Sequence, residues 1–295
     1  MDGTKIVAGL MLLVCAGCSR PPHITVASKN FTEQVVLGEI LAQQIERRLN
    51  VAVDRRLNLG GTLLTHEALV KGDVDLYPEY TGTALTAILK RPPAYDPAAV
   101  LATVSEAYRR QWHLEWLKPL GFVDTFAMII RGEDARRAGI STLSQAAQAQ
   151  SWRLGAGPEF ASRADGLDGL LKTYNLRTEG TPLNMDLGLL YAALDSHRVD
   201  MIAANSTDGL AAVRDVTILQ DDRHYFPPYD CAVVVRQDTL ARFPSLRAAL
   251  EELSGKFTDA VMRKLNHAVD GEHRSAVVVA EEFLKTVGTD NRQVP

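Results

Sequence analysis

Apolar and polar positions along this chain switch repeatedly between strand-like and helical spacing. Ile24 to Ala27 is a short apolar run of strand length. Asn30 followed by Glu33 is a helix-start signal, and Val36, Leu37, Ile40, Leu41, Ile45 and Leu49 then recur at helical spacing. Val51 to Leu57 alternates as a strand does, and Gly60-Gly61-Thr62 turns the chain into a helix ending near Lys71. Val74 to Tyr77 reads as a strand, and Thr81-Gly82-Thr83 opens the next helix. Further strands are expected at Phe126–Arg131, Trp152–Ala156, Val199–Ala204, Val216–Leu219 and Ala232–Val235, with charged helical sequence after Thr239. Alternation of strand and helix predicts an α/β fold with largely parallel strands.

One internal similarity bears on organisation. Ala68-Leu69, Val74-Asp75-Leu76 and Tyr80 align without gaps on Ala193-Leu194, Val199-Asp200-Met201 and Asn205. Both copies read as a helix end, a turn, a strand and a polar loop at the strand's C-terminal edge, where open α/β sheets bind ligands. Helix-turn-strand units also look alike by chance. A true repeat implies two similar lobes facing one cleft.

The N-terminus differs from the rest. Lys5 precedes a short apolar run, Ile6 to Val14, and then Cys15-Ala16-Gly17-Cys18. Residues 1–18 resemble a lipoprotein signal peptide with Cys18 as the lipid anchor, although Cys15 stands where Leu is usual; an ordinary cleaved secretory peptide is the other reading. A lipid anchor predicts a periplasmic or cell-surface protein held on the membrane without spanning it. Cys231 is then the only thiol left in the mature chain and is expected to be a small buried hydrophobe. The chain is 46% hydrophobic with a formal net charge of -4, which offers no basic surface for nucleic acid. The histidines are scattered without metal-ligand spacing, and no nucleophile elbow, P-loop or dinucleotide fingerprint occurs. Neither a metal, a cofactor nor an enzymatic activity is expected, and a monomer is the default.

Several short motifs occur in one order across the chain. They are Ser28-Lys29-Asn30-Phe31-Thr32-Glu33-Gln34, Asn58-Leu59-Gly60-Gly61-Thr62 and Tyr77-Pro78-Glu79-Tyr80-Thr81-Gly82-Thr83. Lys118-Pro119-Leu120-Gly121-Phe122, Glu159-Phe160 with Arg163, Asp165 and Gly166, Ser206-Thr207-Asp208-Gly209, and Phe226-Pro227-Pro228-Tyr229-Asp230 follow. Together they resemble the glycine betaine/choline-type substrate-binding proteins of ABC osmoprotectant importers. The resemblance implies a two-lobed periplasmic-binding-protein fold of type II with the ligand cleft between the lobes. It implies one discontinuous lobe, residues 21–123 plus 230–295, a second lobe at 127–226, and a hinge near 124–126 and 227–229. An ABC permease is the implied partner.

The resemblance also implies site residues. A methylated ammonium has no N–H donors and is best received by aromatic faces. Tyr80 and Tyr229 keep the family's cage tyrosines, Phe126 stands where the family usually has tyrosine, and Asn205 stands where another cage wall is lost. Asp124 keeps a position whose backbone carbonyl faces the cation. Lys29, Arg163 and Thr83 would hold the ligand's carboxylate, Arg163 as a bidentate fork and Thr83 at a helix start, which favours a zwitterion over choline. Blander readings stand beside these: Arg163 pairs with Asp165 or Glu159, Phe126 is a core residue, and Tyr77, Tyr225 and the three tryptophans are packing residues. The loss of a wall at Asn205 leaves a bulkier betaine, such as carnitine or ergothioneine, as an alternative ligand. An enzyme on the same fold and a ligand sensor are the other function classes.

Overall fold

The computed structural model describes residues 23–290, so the signal segment and Cys18 lie outside the described residues. Its strands are β1 (His23–Lys29), β2 (Ala52–Gly60), β3 (Leu76–Tyr80), β4 (Leu114–Trp116), β5 (Phe126–Arg131), β6 (Leu154–Ala156), β7 (Leu183–Asn184), β8 (Met201–Asn205), β9 (Val216–Ile218) and β10 (Cys231–Arg236). They form two separate sheets, in the orders β2-β1-β3-β10-β4 and β7-β6-β8-β5-β9. The internal similarity now has a structural counterpart. Its two copies end in β3 and β8, each the central strand of its sheet, so Tyr80 and Asn205 occupy corresponding edges.

The expectation of largely parallel strands needs correction. β1 runs parallel to β2 and β3, and β6 to β7 and β8. β10 and β5, however, run antiparallel to both of their neighbours. The reason is topological. Each of these strands enters its sheet directly from a segment crossing over from the other lobe, so no helical crossover returns it to the parallel direction. The two crossing segments lie side by side: Val123 bridges Asp230 antiparallel, and the Asp124 N–H donates to the Tyr229 carbonyl at 3.3 Å.

Each sheet has its own core. Helix α1 (Thr32–Leu49) buries Val36, Leu37, Ile40, Leu41 and Ile45 against Ile24, Val26 and the C-terminal helix Ala276–Asp290. Its helical spacing places these side chains on one stripe. It ends at Asn50, whose φ of 51° is the left-handed cap conformation. The helix-start signal at Asn30 sits one residue early: Phe31 occupies the cap position, and its ring has no oxygen with which to accept a capping bond. Around the second sheet, Met128, Ile130, Trp152, Leu154, Phe160, Leu170 and Tyr174 pack together. Trp116 and Trp152 are buried packing residues, and Cys231 is a buried free thiol whose pKa burial raises.

Candidate functional site

The C-terminal ends of β1, β3 and β8 converge with the two crossing segments on one cavity of about 490 Å³. All eight side chains nominated by resemblance line it: Lys29, Tyr80, Thr83, Asp124, Phe126, Arg163, Asn205 and Tyr229. Lys29, Tyr80 and Asn205 close their strands, Phe126 opens β5, and Tyr229 precedes β10. Arg163 follows the short helix Pro158–Ser162, and Thr83 lies in the turn of helix after β3.

Aromatic rings form two groups on this wall. Phe31 stacks on Tyr80 with centroids 6.3 Å apart and planes 24° from parallel. Opposite them, Phe126 meets the ring of Phe160 at 4.8 Å and that of Tyr229 at 6.0 Å, both edge to face. Both tyrosine hydroxyls are anchored: Tyr80 donates to Glu33 and Tyr229 to Asp165, each at 2.6 Å. The rings are therefore held in place by buried carboxylates, and burial pushes both phenols well above their ordinary pKa.

The cations are less free than expected. The Lys29 ammonium is ion-paired with buried Glu79 and lies 5.0 Å from the Tyr80 ring centroid. Arg163 directs Nε and Nη2 at the two oxygens of Asp165, at 2.8 and 2.6 Å. That edge of the guanidinium is thus paired inside the protein, which is the plainer reading offered for Arg163. Nη1 remains, 3.1 Å from the Thr83 hydroxyl and 3.8 Å from a Glu159 oxygen. Burial alone would lower the pKa of Arg163 and raise that of Asp165; their mutual hydrogen bonds reverse both directions. The guanidinium also sits 5.0 Å from the Phe126 ring centroid, so the cavity's arginine and an aromatic wall share one position.

Several residues that the motif reading passed over tie the lobes together. Glu159 accepts from the Thr62 hydroxyl at 2.9 Å and from the Thr62 N–H at the first turn of helix α2 (Thr62–Lys71). An anion is favoured at such a helix start, and here a carboxylate from the other lobe supplies it. Asp165 accepts from Thr86 across the cleft at 2.8 Å. Glu33 accepts from Thr207 at 2.5 Å, from Tyr80, and from Asn266 at 3.1 Å. Glu33 and Phe31 stood inside a quoted motif, and their polarity and ring were the available signal. Met185, Asp186 and Leu187 also line the cavity, from a loop with no recognisable pattern.

Glu33, Asp124 and Asp208 cluster at the cleft, and burial raises all three, Asp208 to about 7 from 3.8. A carboxyl raised on folding holds a proton that the unfolded chain has released. Between about pH 4 and 7 the native state binds more protons, so stability is present at the acid end of that window and is lost as pH rises through it. Asp165 and Asp200 are shifted down and lose stability only as pH falls below the ordinary carboxylate range. The melting temperature should therefore be higher at pH 5.5 than at pH 8. Calorimetry checks this, and Asp208→Asn should flatten the difference.

Gly82 has a steric reason. A Cβ there would lie 2.6 Å from the Pro228 carbonyl oxygen and 2.7 Å from the Tyr229 ring. The carbonyl belongs to a crossing segment and cannot give way. Gly82→Ala should displace Tyr229 and lower ligand affinity by about tenfold or more, measured by titration calorimetry, while helix propensity alone would favour alanine.

Residues 22–286 match the family described as the substrate binding domain of the ABC-type glycine betaine transport system. The chain belongs to this family. It is 34% identical over 285 residues to a glycine-betaine-binding protein of Pseudomonas aeruginosa, covering 92% of this chain and 90% of that one. It is 33% identical over 285 residues to the ergothioneine transport permease/ergothioneine binding protein EgtU of Helicobacter pylori; the match covers 96% of this chain but only 51% of that longer protein. Among solved structures, a protein titled glycine betaine/carnitine/choline ABC transporter superposes with a TM-score of 0.75 at 31% identity, covering 89% of this chain and 98% of that one. The fold is thus that of the two-lobed, type II periplasmic binding proteins.

Proposed function

We propose that the chain is the extracytoplasmic solute-binding component of an ABC importer and that it captures a quaternary-ammonium zwitterion by closing its cleft. The observation that carries this reading is the convergence of Phe31, Tyr80, Phe126, Phe160 and Tyr229 with Arg163 and Lys29 on one cavity between the lobes. Ring faces take the methylated cation; each is worth roughly 0.5–2 kcal/mol to a desolvated charge. Nη1 of Arg163 and the Thr83 hydroxyl, adjacent across the cleft, take the carboxylate. Because these two groups come from different lobes, a carboxylate bridging them favours the closed form, and closure is limited by that differential affinity.

The lobes correspond in this reading to residues 21–123 plus 230–295 and to 127–226, hinged near 124–126 and 227–229. Closed protein then docks on a permease partner. No residue is given a catalytic role. Among the described residues no helix is long and apolar enough to cross a membrane, and Cys18 is proposed as the lipid anchor.

Titration calorimetry of the purified protein against glycine betaine, proline betaine, carnitine, ergothioneine and choline tests the reading. A betaine should bind and choline, without a carboxylate, should bind at least about tenfold more weakly. Binding of none of them overturns the assignment.

A further inference from the structure

Helix α2 begins without a cap of its own. Its cap position is Gly61, which has no side chain to accept from the free N–H groups of the first turn. The missing acceptor comes from the other sheet. Glu159 lies in the short helix Pro158–Ser162 after β6, and its two carboxylate oxygens accept from the Thr62 N–H and, at 2.9 Å, from the Thr62 hydroxyl. Gly61 and Thr62 follow β2 and line the same cavity as Glu159. Closing the cleft therefore completes the cap of α2, and opening it takes the cap away.

Gly61 carries a second, independent mark of this contact. Its backbone, at φ −74° and ψ −176°, is one that any residue adopts, so conformation does not call for glycine. Space does. A Cβ there would lie 2.3 Å from Glu159 Oε1, and the three atoms nearest to it all belong to Glu159. The chemistry of Glu159 suits a contact that is made and broken. Its side chain is 41% exposed where it lines the cavity, so it is not a core group. Burial raises its pKa, but the Lys29 charge and the Thr62 bonds outweigh that and hold the carboxyl below its ordinary range, ionised at neutral pH. Arg163 is 3.8 Å away and already committed to Asp165. Among the described residues, Thr62 supplies the only hydrogen bonds that the Glu159 carboxylate receives.

We propose that Glu159 is a closing latch: it caps α2 across the cleft, adds to the stability of the closed form whether or not ligand is bound, and so lengthens the stay of a bound betaine. It is a positioning residue that acts through Thr62. The protein itself then supplies part of the free energy of closure, and the apparent affinity for ligand rises with the fraction of molecules already closed. The effect on ligand rests on the cleft-closure reading. The effect on closure does not depend on which ligand binds.

The test combines small-angle scattering of the ligand-free protein with stopped-flow release of glycine betaine and carnitine. Glu159→Ala and Gly61→Ala should each enlarge the radius of gyration of the ligand-free protein. Each should also release ligand at least about tenfold faster, with association changed by less than about threefold. Thr62→Val, which loses the hydroxyl and keeps the N–H, should move both readings the same way by a smaller factor. The decisive variant is Gly61→Ala/Glu159→Ala. With the carboxylate gone, a methyl at position 61 has nothing to displace, so the double variant should match Glu159→Ala. Effects that multiply in the double variant, or single variants that change neither scattering nor release, overturn the latch. Failure of both compounds to bind, with scattering that still shifts towards the open form, overturns the betaine reading and leaves the latch standing.

Discussion

Arg163→Ala should both destabilise the protein and reduce betaine affinity at least about a hundredfold, the largest loss expected of any single change in the cleft. The stability effect follows from Asp165. Its side chain is fully buried, and among the described residues Arg163 is its only cationic partner at hydrogen-bond distance. Removing one member of a buried pair leaves an uncompensated charge, worth about 3–5 kcal/mol, or roughly ten degrees of melting temperature in a chain of this size. The affinity effect has a different origin. Arg163 bonds Thr83 and Thr86 across the cleft and stacks on Phe126, so its loss also removes a link that holds the lobes closed. The two effects separate in the Arg163→Ala/Asp165→Asn double variant. Neutralising Asp165 should recover much of the melting temperature and none of the affinity. Recovery of affinity in the double variant would show that Arg163 serves only to neutralise Asp165.

Much of the fold was legible because strand and helix declare themselves locally. The span of β5 was read from its apolar run, and the helix ending near Lys71 from the Gly60-Gly61-Thr62 turn that opens it. The direction of β5 and β10 was not legible, since it depends on which lobe the chain has just left. Five of the eight nominated residues stood inside the quoted motifs, Asp124, Phe126 and Asn205 were nominated as family positions close to them, and all eight line the cavity. What the motifs did not reveal is how these side chains are already engaged. Asp165 follows Arg163 by two positions, yet its depth of burial, which commits the arginine's fork, is a property of the packed cleft. Glu33, Asp124 and Asp208 are far apart in the chain and meet only because α1, a crossing segment and the loop after β8 end at one place. Their shared desolvation, and with it the raised pKa of each, cannot be seen one residue at a time.

Tyr229→Ala should lower betaine affinity by about ten- to a hundredfold, and the part of that loss owed to its π face can be isolated. Tyr229 is 2% exposed and packs in the larger core cluster, so alanine also opens a cavity worth about 3–5 kcal/mol of stability. Tyr229→Phe keeps the ring and removes only the bond to Asp165, and it should lose less than about tenfold in affinity. Neither value alone distinguishes a cage wall from a packing residue. The ratio of affinities for glycine betaine and its carbon isostere, tert-butylacetate, does. The two have the same shape and carboxylate and differ in the charge that faces the rings. An aromatic quadrupole attracts the trimethylammonium and is indifferent to the tert-butyl group, so the unaltered protein should prefer glycine betaine and Tyr229→Ala should shrink that preference. Tyr229→Phe, which preserves the ring, should leave most of it. If alanine weakens both compounds equally, Tyr229 contributes shape and stability to the cleft, and the cation is held by Tyr80, Phe31 and Phe126 without it.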